Sequence, residues 1–289
     1  MMAVELLNWS TNLLRDHGIE NPRLQAELLL AHSLNLSREG LYGRLHSQIE
    51  QREMERFEEL IRRRISGVPL QYILGHQEFW SIDLKVDPRV LIPRPETEVL
   101  VEQALEVLSE AISWTTAFVL EIGTGSGAVA ISLAKEVKDI FLVATDISEE
   151  ALRVARENAR SSGVLHQIGF VNGNLFEPFN LFRNRKPFDL ILSNPPYIAT
   201  SEIGELAREV KDHEPTIALN GGEDGLAFYR AIIAQAPLYL KRGGWLLLEV
   251  GQGQAEKVSG LMEKEGDFLA AQSVRDLLGI ERVVKAQRR

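Results

Sequence analysis

The chain has 289 residues, a hydrophobic fraction of 45% and a charged fraction of 25%, which is the composition of a globular protein with a sizeable core. It has no cysteine, so disulfides, thiol catalysis and cysteine metal sites are excluded. The net charge of -9 argues against broad binding to nucleic acid, which depends on many phosphate contacts. We see no signal peptide and no apolar run near the ~20 residues of a membrane helix, so we expect a cytoplasmic protein.

Residues 1–74 are predicted to be helical. Asn21 and Pro22 suit the cap and first position of one helix, and the segment 47–67 places apolar residues three and four apart, which is typical of another helix. The basic run Arg62–Arg64 near the end of that segment has two interpretations. It is either a solvated helix terminus favoured by the helix dipole or a docking patch for a partner.

The pattern changes after the helices. Residues 75–94 have an alternating sequence pattern and contain residues that favour β-structure, which predicts a short hairpin or extended linker. Residues 97–111 are predicted to form an amphipathic helix. Short apolar runs and helices then alternate, which is typical of a parallel sheet covered on both faces. The predicted strands are 117–123, 140–146, 168–173, 188–193 and 243–251, with helices over 127–137 and 148–163. The segments 267–279 and 281–288 can add one or two further strands to this sheet.

Three glycines follow the first strand of the predicted sheet in the stretch GTGSG: Gly123, Gly125 and Gly127. Glycine lets the backbone turn tightly and approach a ligand closely. Asp146 ends the next strand about 20 residues later, where a carboxylate can bind ribose hydroxyls. The loop therefore predicts a cofactor that contains adenosine, and it leaves NAD and S-adenosylmethionine open.

A stiff corner, Asn194-Pro195-Pro196-Tyr197, follows the strand 188–193. Proline fixes its own φ and restricts the residue before it, and ligands of open α/β sheets bind beyond the carboxyl ends of strands. The Asn194 side-chain oxygen and the Pro195 carbonyl can accept both N–H groups of a planar amide or aromatic amine, and Tyr197 can stack on that group. No strong base is needed, because the nitrogen becomes acidic as the new bond forms. The alternative is a plain proline-rich turn.

Further segments extend this pattern: PLQYILG at 69–75, LIPRPETE at 91–98 and NGGEDGLAFYR at 220–230. With the glycine loop and the corner, the chain resembles the peptide-chain release factor glutamine N5-methyltransferase family, known as PrmC or HemK, whose members are class I S-adenosylmethionine-dependent methyltransferases. The resemblance implies methyl transfer from S-adenosyl-L-methionine to the side-chain amide nitrogen of the glutamine in the Gly-Gly-Gln motif of class 1 release factors, with S-adenosyl-L-homocysteine as product.

The resemblance also implies an α/β fold with two domains. A small N-terminal helical bundle, residues 1–74, recognises the substrate. A β-hairpin linker, residues 75–95, joins it to a seven-stranded, Rossmann-like methyltransferase domain, residues 96–289. The implied partners are class 1 release factors, and we expect a monomer without stable nucleic-acid or membrane binding.

Site residues carried over from the family form two sets. Those expected to bind the cofactor are Gly123, Thr124, Gly125, Ser126, Gly127, Asp146, Asn174, Leu175 and Asn194. Those expected to hold the substrate glutamine are Asn194, Pro195, Pro196 and Tyr197, of which Asn194, Pro195 and Tyr197 are the expected catalytic residues. The family often has an acidic residue and a tryptophan where this chain has Asn174 and Leu175, so the adenine contacts are left open.

Three other side chains keep two interpretations each. Glu121 either holds the amino group of the cofactor or orients the glycine loop. Arg94 and Glu96 either close over the cofactor or contact the release factor, or else they form an interdomain salt bridge that fixes the linker. We assign no catalytic role to His76 or His213. No cluster has metal-ligand spacing, so no metal is expected.

Three rival functions remain open at the level of sequence. One is methylation of an exocyclic amine of adenine in nucleic acid, for which the same corner is suitable. The second is an NAD-dependent oxidoreductase that uses only the glycine loop. The third is a non-catalytic adaptor that docks a partner through its helical region.

Overall fold

The computed structural model describes residues 1–111, 116–182, 185 and 187–289. These residues form two compact units. The first comprises Met1–His76 and Ala207–His213, and the second comprises Gln77–Leu206 and Glu214–Arg289. The assignment of separate roles to residues 1–74, 75–95 and 96–289 stays a prediction.

The first unit is helical, as its sequence pattern predicts. Its core consists of apolar side chains that recur at helical spacing, and Leu6, Leu30 and Phe57 among them are fully buried. Asn21 precedes Pro22 in the left-handed conformation, at φ 48°, and the second helix begins at that proline. The helices of this unit are α1 (Ala3–Asp16), α2 (Pro22–Ser33), α3 (Arg38–Gly43), α4 (Gln51–Ile65), α5 (Leu70–Leu74) and α9 (Arg208–Lys211).

The basic run at the end of α4 contains two kinds of arginine. Arg62 is exposed and pairs with Glu59 at 2.9 Å on the same helix. Arg64 is buried, and its guanidinium donates to Gln25 at 2.7 Å and pairs with Glu209 at 2.8 Å. Arg64 therefore ties the segment Ala207–His213 to α2 and α4 inside the first unit, which is a structural role.

The second unit is built on one large sheet and a small one. The strands β1 (His76–Phe79) and β2 (Ile82–Lys85) form the two-stranded sheet. The large sheet has seven strands in the order β5-β4-β3-β6-β7-β9-β8, parallel from β5 to β7 and antiparallel at β9 and β8. These strands are β3 (Ala117–Ile122), β4 (Ile140–Asp146), β5 (Ile168–Asn172), β6 (Phe188–Ser193), β7 (Leu240–Glu249), β8 (Gln272–Arg275) and β9 (Glu281–Gln287).

Helices cover both faces of the large sheet, because its strands are apolar on both sides. One core cluster contains residues of α6 (Glu98–Ala111), α7 (Ala128–Glu136) and α8 (Glu149–Ser161). The other contains residues of α10 (Ala227–Gln235) and α11 (Ala255–Glu265). The strand order reverses between β3 and β6, and such a switch point is where ligands bind in open α/β sheets.

The predicted seven-stranded α/β fold is confirmed. The last two segments of the chain supply β8 and β9, as expected. The strand predicted at 243–251 instead begins at Leu240, because its pairing with β6 extends back to Phe188 across a register shift. Among the described residues, no helix is long and apolar enough to cross a membrane.

Candidate active site

A cavity of about 320 Å³ lies at the carboxyl ends of β3, β4 and β6. Its wall includes residues 121–126 after β3, 145–148 after β4 and 193–196 after β6. The predicted site residues on this wall are Gly123, Thr124, Gly125, Ser126, Asp146, Asn174, Leu175, Asn194, Pro195 and Pro196. Gly127 and Tyr197 are not among the described residues that line the cavity. The fold thus brings the glycine loop, the acid and the proline corner to one place.

The glycine loop has the conformation that its composition predicts. Gly123, Gly125 and Gly127 have φ of 76°, 53° and 84°, in the left-handed region that favours glycine. At Gly127 a Cβ atom would also lie 3.0 Å from Ile131 and 3.1 Å from Ala155. Gly127 is therefore needed for close packing at the start of α7, whereas the two glycines before it face the cavity.

Asp146 is held at the end of β4 by two backbone amides. Gly125 N–H donates to Oδ2 and Ser148 N–H donates to Oδ1, each at 2.9 Å. Burial raises the pKa of Asp146, and these amides oppose that shift. Each carboxylate oxygen has two lone-pair sites, so a fixed carboxylate still has acceptor capacity for a ligand hydroxyl in the cavity.

Glu121 is a buried carboxyl on the same wall, with 3% of its surface exposed. The Thr124 hydroxyl donates to its Oε2 at 2.6 Å. Burial raises the pKa of Glu121 to about 8; Thr124 opposes that shift and the negative charge of Asp146 adds to it. A cation in the cavity would favour the charged form of this group.

Beyond the two carboxyls, the wall becomes apolar. Ile147 and Leu175 line this part, and Leu175 has a positive φ of 48° although it is not glycine. Asn174 is also on the wall, and its amide contacts Glu177 at 3.4 Å. This region provides an apolar surface on which a flat ligand can pack, with one amide side chain nearby.

The proline corner is anchored at its first residue. The Asn194 amide Nδ2 donates to Thr97 Oγ1 at 3.2 Å. The preceding Ser193 hydroxyl donates to the Ile122 carbonyl at 2.7 Å, which joins the ends of β6 and β3. Asn194 and Pro195 are consequently held on the wall of the cavity that the glycine loop also lines.

The segment 220–230 supports the corner from behind. Ile198 N–H donates to the Leu219 carbonyl at 3.0 Å, and Gly221 N–H donates to the Ile198 carbonyl at 2.8 Å. A Cβ atom on Gly221 would lie 2.8 Å from the Pro196 oxygen. A Cβ atom on Gly225 would overlap the Tyr197 carbonyl. The glycines of this segment are therefore required for close backbone approach.

Tyr197 is not among the described residues that line the cavity. It is half-buried and packs against the apolar cluster that contains Tyr229 and Val250. Its carbonyl accepts from Gln254 Nε2 at 2.9 Å. Burial and the negative charge of Glu249 raise the pKa of Tyr197 to about 12. The stacking role of Tyr197 stays a prediction.

Arg94 and Glu96 form ion pairs inside the second unit. Arg94 lines the cavity and pairs with Glu214 at 2.5 Å. The same carboxylate accepts from Ile92 N–H at 3.3 Å. Glu96 lies 3.6 Å from Arg282 of β9. Arg94 thus fixes one wall of the cavity through a buried carboxylate.

Sequence reasoning missed several residues of this site. Gln254, Glu214 and Glu249 approach it from segments to which no role was assigned. Short motifs carry no signal for such distant partners. In the part of the chain that the structure describes, no group of three or more side chains could hold a metal ion.

The chain matches two protein family models and is similar over nearly its whole length to known proteins. Family models described as "PrmC N-terminal domain" and "Methyltransferase small domain" match residues 5–75 and 97–212. A release factor glutamine methyltransferase of Geobacter sulfurreducens is 44% identical over 280 residues, which cover 97% of this chain and 94% of that protein. One from Bacillus anthracis is 36% identical over 99% of both chains.

A solved structure shares the fold at low sequence identity. The hMettl16 catalytic domain, in complex with the MAT2A 3'UTR hairpin 6, has a TM-score of 0.56 at 13% identity. The match covers 79% of this chain and 81% of that chain. At this identity the likeness concerns the fold alone.

Proposed function

This chain belongs to the release factor glutamine methyltransferase family, and we propose that it transfers a methyl group from S-adenosyl-L-methionine to the side-chain amide nitrogen N5 of the glutamine in the Gly-Gly-Gln motif of class 1 peptide-chain release factors. One observation carries the proposal. The glycine loop and two carboxyl groups share a single cavity with the Asn194-Pro195 corner. A methyl donor and a planar amide therefore find complementary groups side by side.

The donor groups in the cavity fit S-adenosylmethionine. The carboxylate of Asp146 keeps acceptor capacity for ribose hydroxyls, and Glu121 is a buried carboxyl that a cationic ligand would stabilise in its charged form. Ile147 and Leu175 provide apolar surface for an adenine ring. When bound, this cofactor supplies a methyl group on a positively charged sulfur, and S-adenosyl-L-homocysteine is the product.

The acceptor side positions the substrate nitrogen. The Asn194 side-chain oxygen and the Pro195 carbonyl accept the two N–H groups of the substrate amide. Within the described residues, no backbone amide donates to the Pro195 carbonyl, which leaves it open for this role. Good alignment of two reactants contributes on the order of 7 kcal/mol. The nitrogen loses its proton to solvent as the N–C bond forms, so no protein base is required.

The helical unit gives a second part of the proposal, in which it recognises the body of the release factor away from the glutamine. Trp9 and Tyr42 of this unit are exposed, at 42% and 49%, and exposed aromatic residues are typical of protein interfaces. Trp9→Ala is expected to raise KM for intact release factor about tenfold and to leave KM for a Gly-Gly-Gln peptide unchanged. Equal changes for both substrates would contradict this role.

Mass spectrometry tests the activity directly. A class 1 release factor is incubated with the enzyme and S-adenosylmethionine, digested, and searched for an added methyl group. The expected product carries one methyl on the glutamine of the Gly-Gly-Gln motif. Parallel reactions with DNA and RNA address the adenine rival. Methylated nucleic acid with unmodified release factor would overturn the proposal.

A further inference from the structure

A buried carboxyl group lies behind the proline corner. Glu249 ends β7 and is 2% exposed. Its Oε2 atom has no hydrogen-bond partner among the described residues. Burying a carboxyl group costs free energy unless nearby groups compensate for it. A carboxyl group buried beside a site is therefore a candidate for a functional role.

Glu249 and two other side chains form a small cluster. Thr97 and Asn194 are polar neighbours of Glu249, and both lower the pKa of its carboxyl group. Asn194 Nδ2 also donates to Thr97 Oγ1 at 3.2 Å. These side chains come from the segment before α6, the loop after β6 and the end of β7, so only the folded chain assembles them.

The hydrogen-bond chemistry of this cluster determines the orientation of the Asn194 amide. An ionised carboxylate only accepts hydrogen bonds, so in any hydrogen bond between Thr97 and Glu249 the Thr97 hydroxyl is the donor. The Thr97 oxygen then accepts from Asn194 Nδ2, and the second hydrogen of that nitrogen can reach Glu249. With its NH2 group occupied, Asn194 has its side-chain oxygen left for the cavity.

We propose that Thr97 and Glu249 are positioning residues that fix which end of the Asn194 amide faces the substrate nitrogen. This inference rests on the proposed function and extends it to two residues that do not touch the reacting atoms. A reversed amide would present N–H groups to the substrate N–H groups. Two donors would then face each other, and the substrate would lose its alignment.

The protonation state of Glu249 controls this arrangement. Burial raises its pKa to about 7; Thr97, Arg282 and Asn194 oppose that shift, and Glu96 adds to it. Burial raises the pKa of two nearby phenols, those of Tyr197 and Tyr229, and the negative charge of Glu249 adds to both shifts. Below pH 7 the neutral carboxyl group can donate to Thr97. The Thr97 hydroxyl is then free to donate to the Asn194 oxygen, which turns the amide around.

Two variants of Thr97 test the cluster at saturating S-adenosylmethionine with intact release factor. Thr97→Val keeps the shape and removes the hydroxyl, so kcat is expected to fall about tenfold. Thr97→Ser keeps the hydroxyl and is expected to recover most of that loss. The affinity for S-adenosylmethionine, by calorimetry, and the Tm are measured for each variant. A wild-type kcat in Thr97→Val, or an equal loss in Thr97→Ser, would overturn the inference.

The pH profile gives an independent measurement. Wild-type kcat is expected to fall as pH drops below about 7, and Glu249→Gln is expected to lose this acidic limb because the amide does not titrate there. An acidic limb that persists in Glu249→Gln would overturn the inference alone. A wild-type enzyme that leaves the release factor unmethylated would overturn the proposed function, and this inference with it.

Discussion

The two ends of the cavity are held in place by different means. At the glycine-loop end, Asp146 is held by backbone amides of Gly125 and Ser148, and Glu121 is held by Thr124 three residues later. At the corner end, Asn194 contacts Thr97, a residue 97 positions away. One end is built from neighbouring loops and strands, and the other from side chains that are distant in the chain.

This difference predicts how each end responds to substitution. Changes at the glycine-loop end should alter cofactor affinity, because its groups face the proposed ribose and cationic ligand. Changes at the corner should alter turnover, because its groups face the proposed substrate amide. Substitutions of the glycines in the segment 220–230, which supports the corner, should lower turnover although these glycines contact neither ligand.

The strongest test of this separation is Asn194→Ala. It removes an acceptor for the substrate N–H groups, so kcat is expected to fall at least about a hundredfold. The dissociation constant for S-adenosylmethionine should stay within about twofold, measured by calorimetry. A parallel loss of cofactor affinity would contradict this separation and would support the expectation from the sequence that Asn194 also binds the cofactor.

At the opposite end, Asp146→Asn removes the carboxylate that accepts from Gly125 and Ser148. Cofactor affinity is expected to fall roughly tenfold or more, because a charged acceptor strengthens its hydrogen bonds. The kcat at saturating cofactor should change little. Asp139→Asn, at an exposed position before the same strand, is the matched control. An equal loss of cofactor affinity in Asp139→Asn would show that the effect of Asp146→Asn is not specific to the cavity.

The supporting segment is tested by Gly225→Ala. The new Cβ would overlap the Tyr197 carbonyl, so the corner must shift and kcat should fall about tenfold. Gly279→Ala is the control, because its φ of 79° matches the 73° of Gly225 and no atom lies within 4 Å of the new Cβ. It should lose about 1 kcal/mol of stability and keep its kcat. Similar kcat values in both variants would contradict the supporting role.

The smallest effect concerns Glu121 and the stability of the cofactor-free protein. Because its pKa is raised from 4.5 to about 8 in the folded state, its stabilising contribution is complete below pH 4.5. That contribution is lost as pH rises through 8. Between pH 6 and 7, the wild type should lose about 1 kcal/mol more unfolding free energy than Glu121→Gln. Urea titrations at both pH values measure this difference, and parallel curves would show that Glu121 is charged throughout.

Much of the fold could be predicted from the local pattern of apolar and polar residues. Apolar runs alternating with helical periods predicted the parallel sheet, because strands buried on both faces must be apolar throughout. The positive φ of Gly123, Gly125 and Gly127 followed from local turn chemistry. The resemblance to a family supplied the substrate, which no residue pattern specified.

The rest depended on contacts between distant segments. The basic run Arg62–Arg64 has one uniform charge pattern in the sequence, yet Arg64 is buried against Gln25 and Glu209 while Arg62 is exposed. The glycines of the segment 220–230 had no assigned purpose until the backbone of the corner was placed against them. Burial and packing are properties of the whole chain, so local composition does not encode them.

The sequence by itself therefore determined the order of strands and helices, the glycine loop and the chemistry available at the Asn194 corner. Only the tertiary structure decided that Thr97 and Glu249 surround the Asn194 amide. The physical reason is that a hydrogen bond depends on distance and direction in space. Residues 97 positions apart in the chain acquire that relationship only when the sheet brings their segments together.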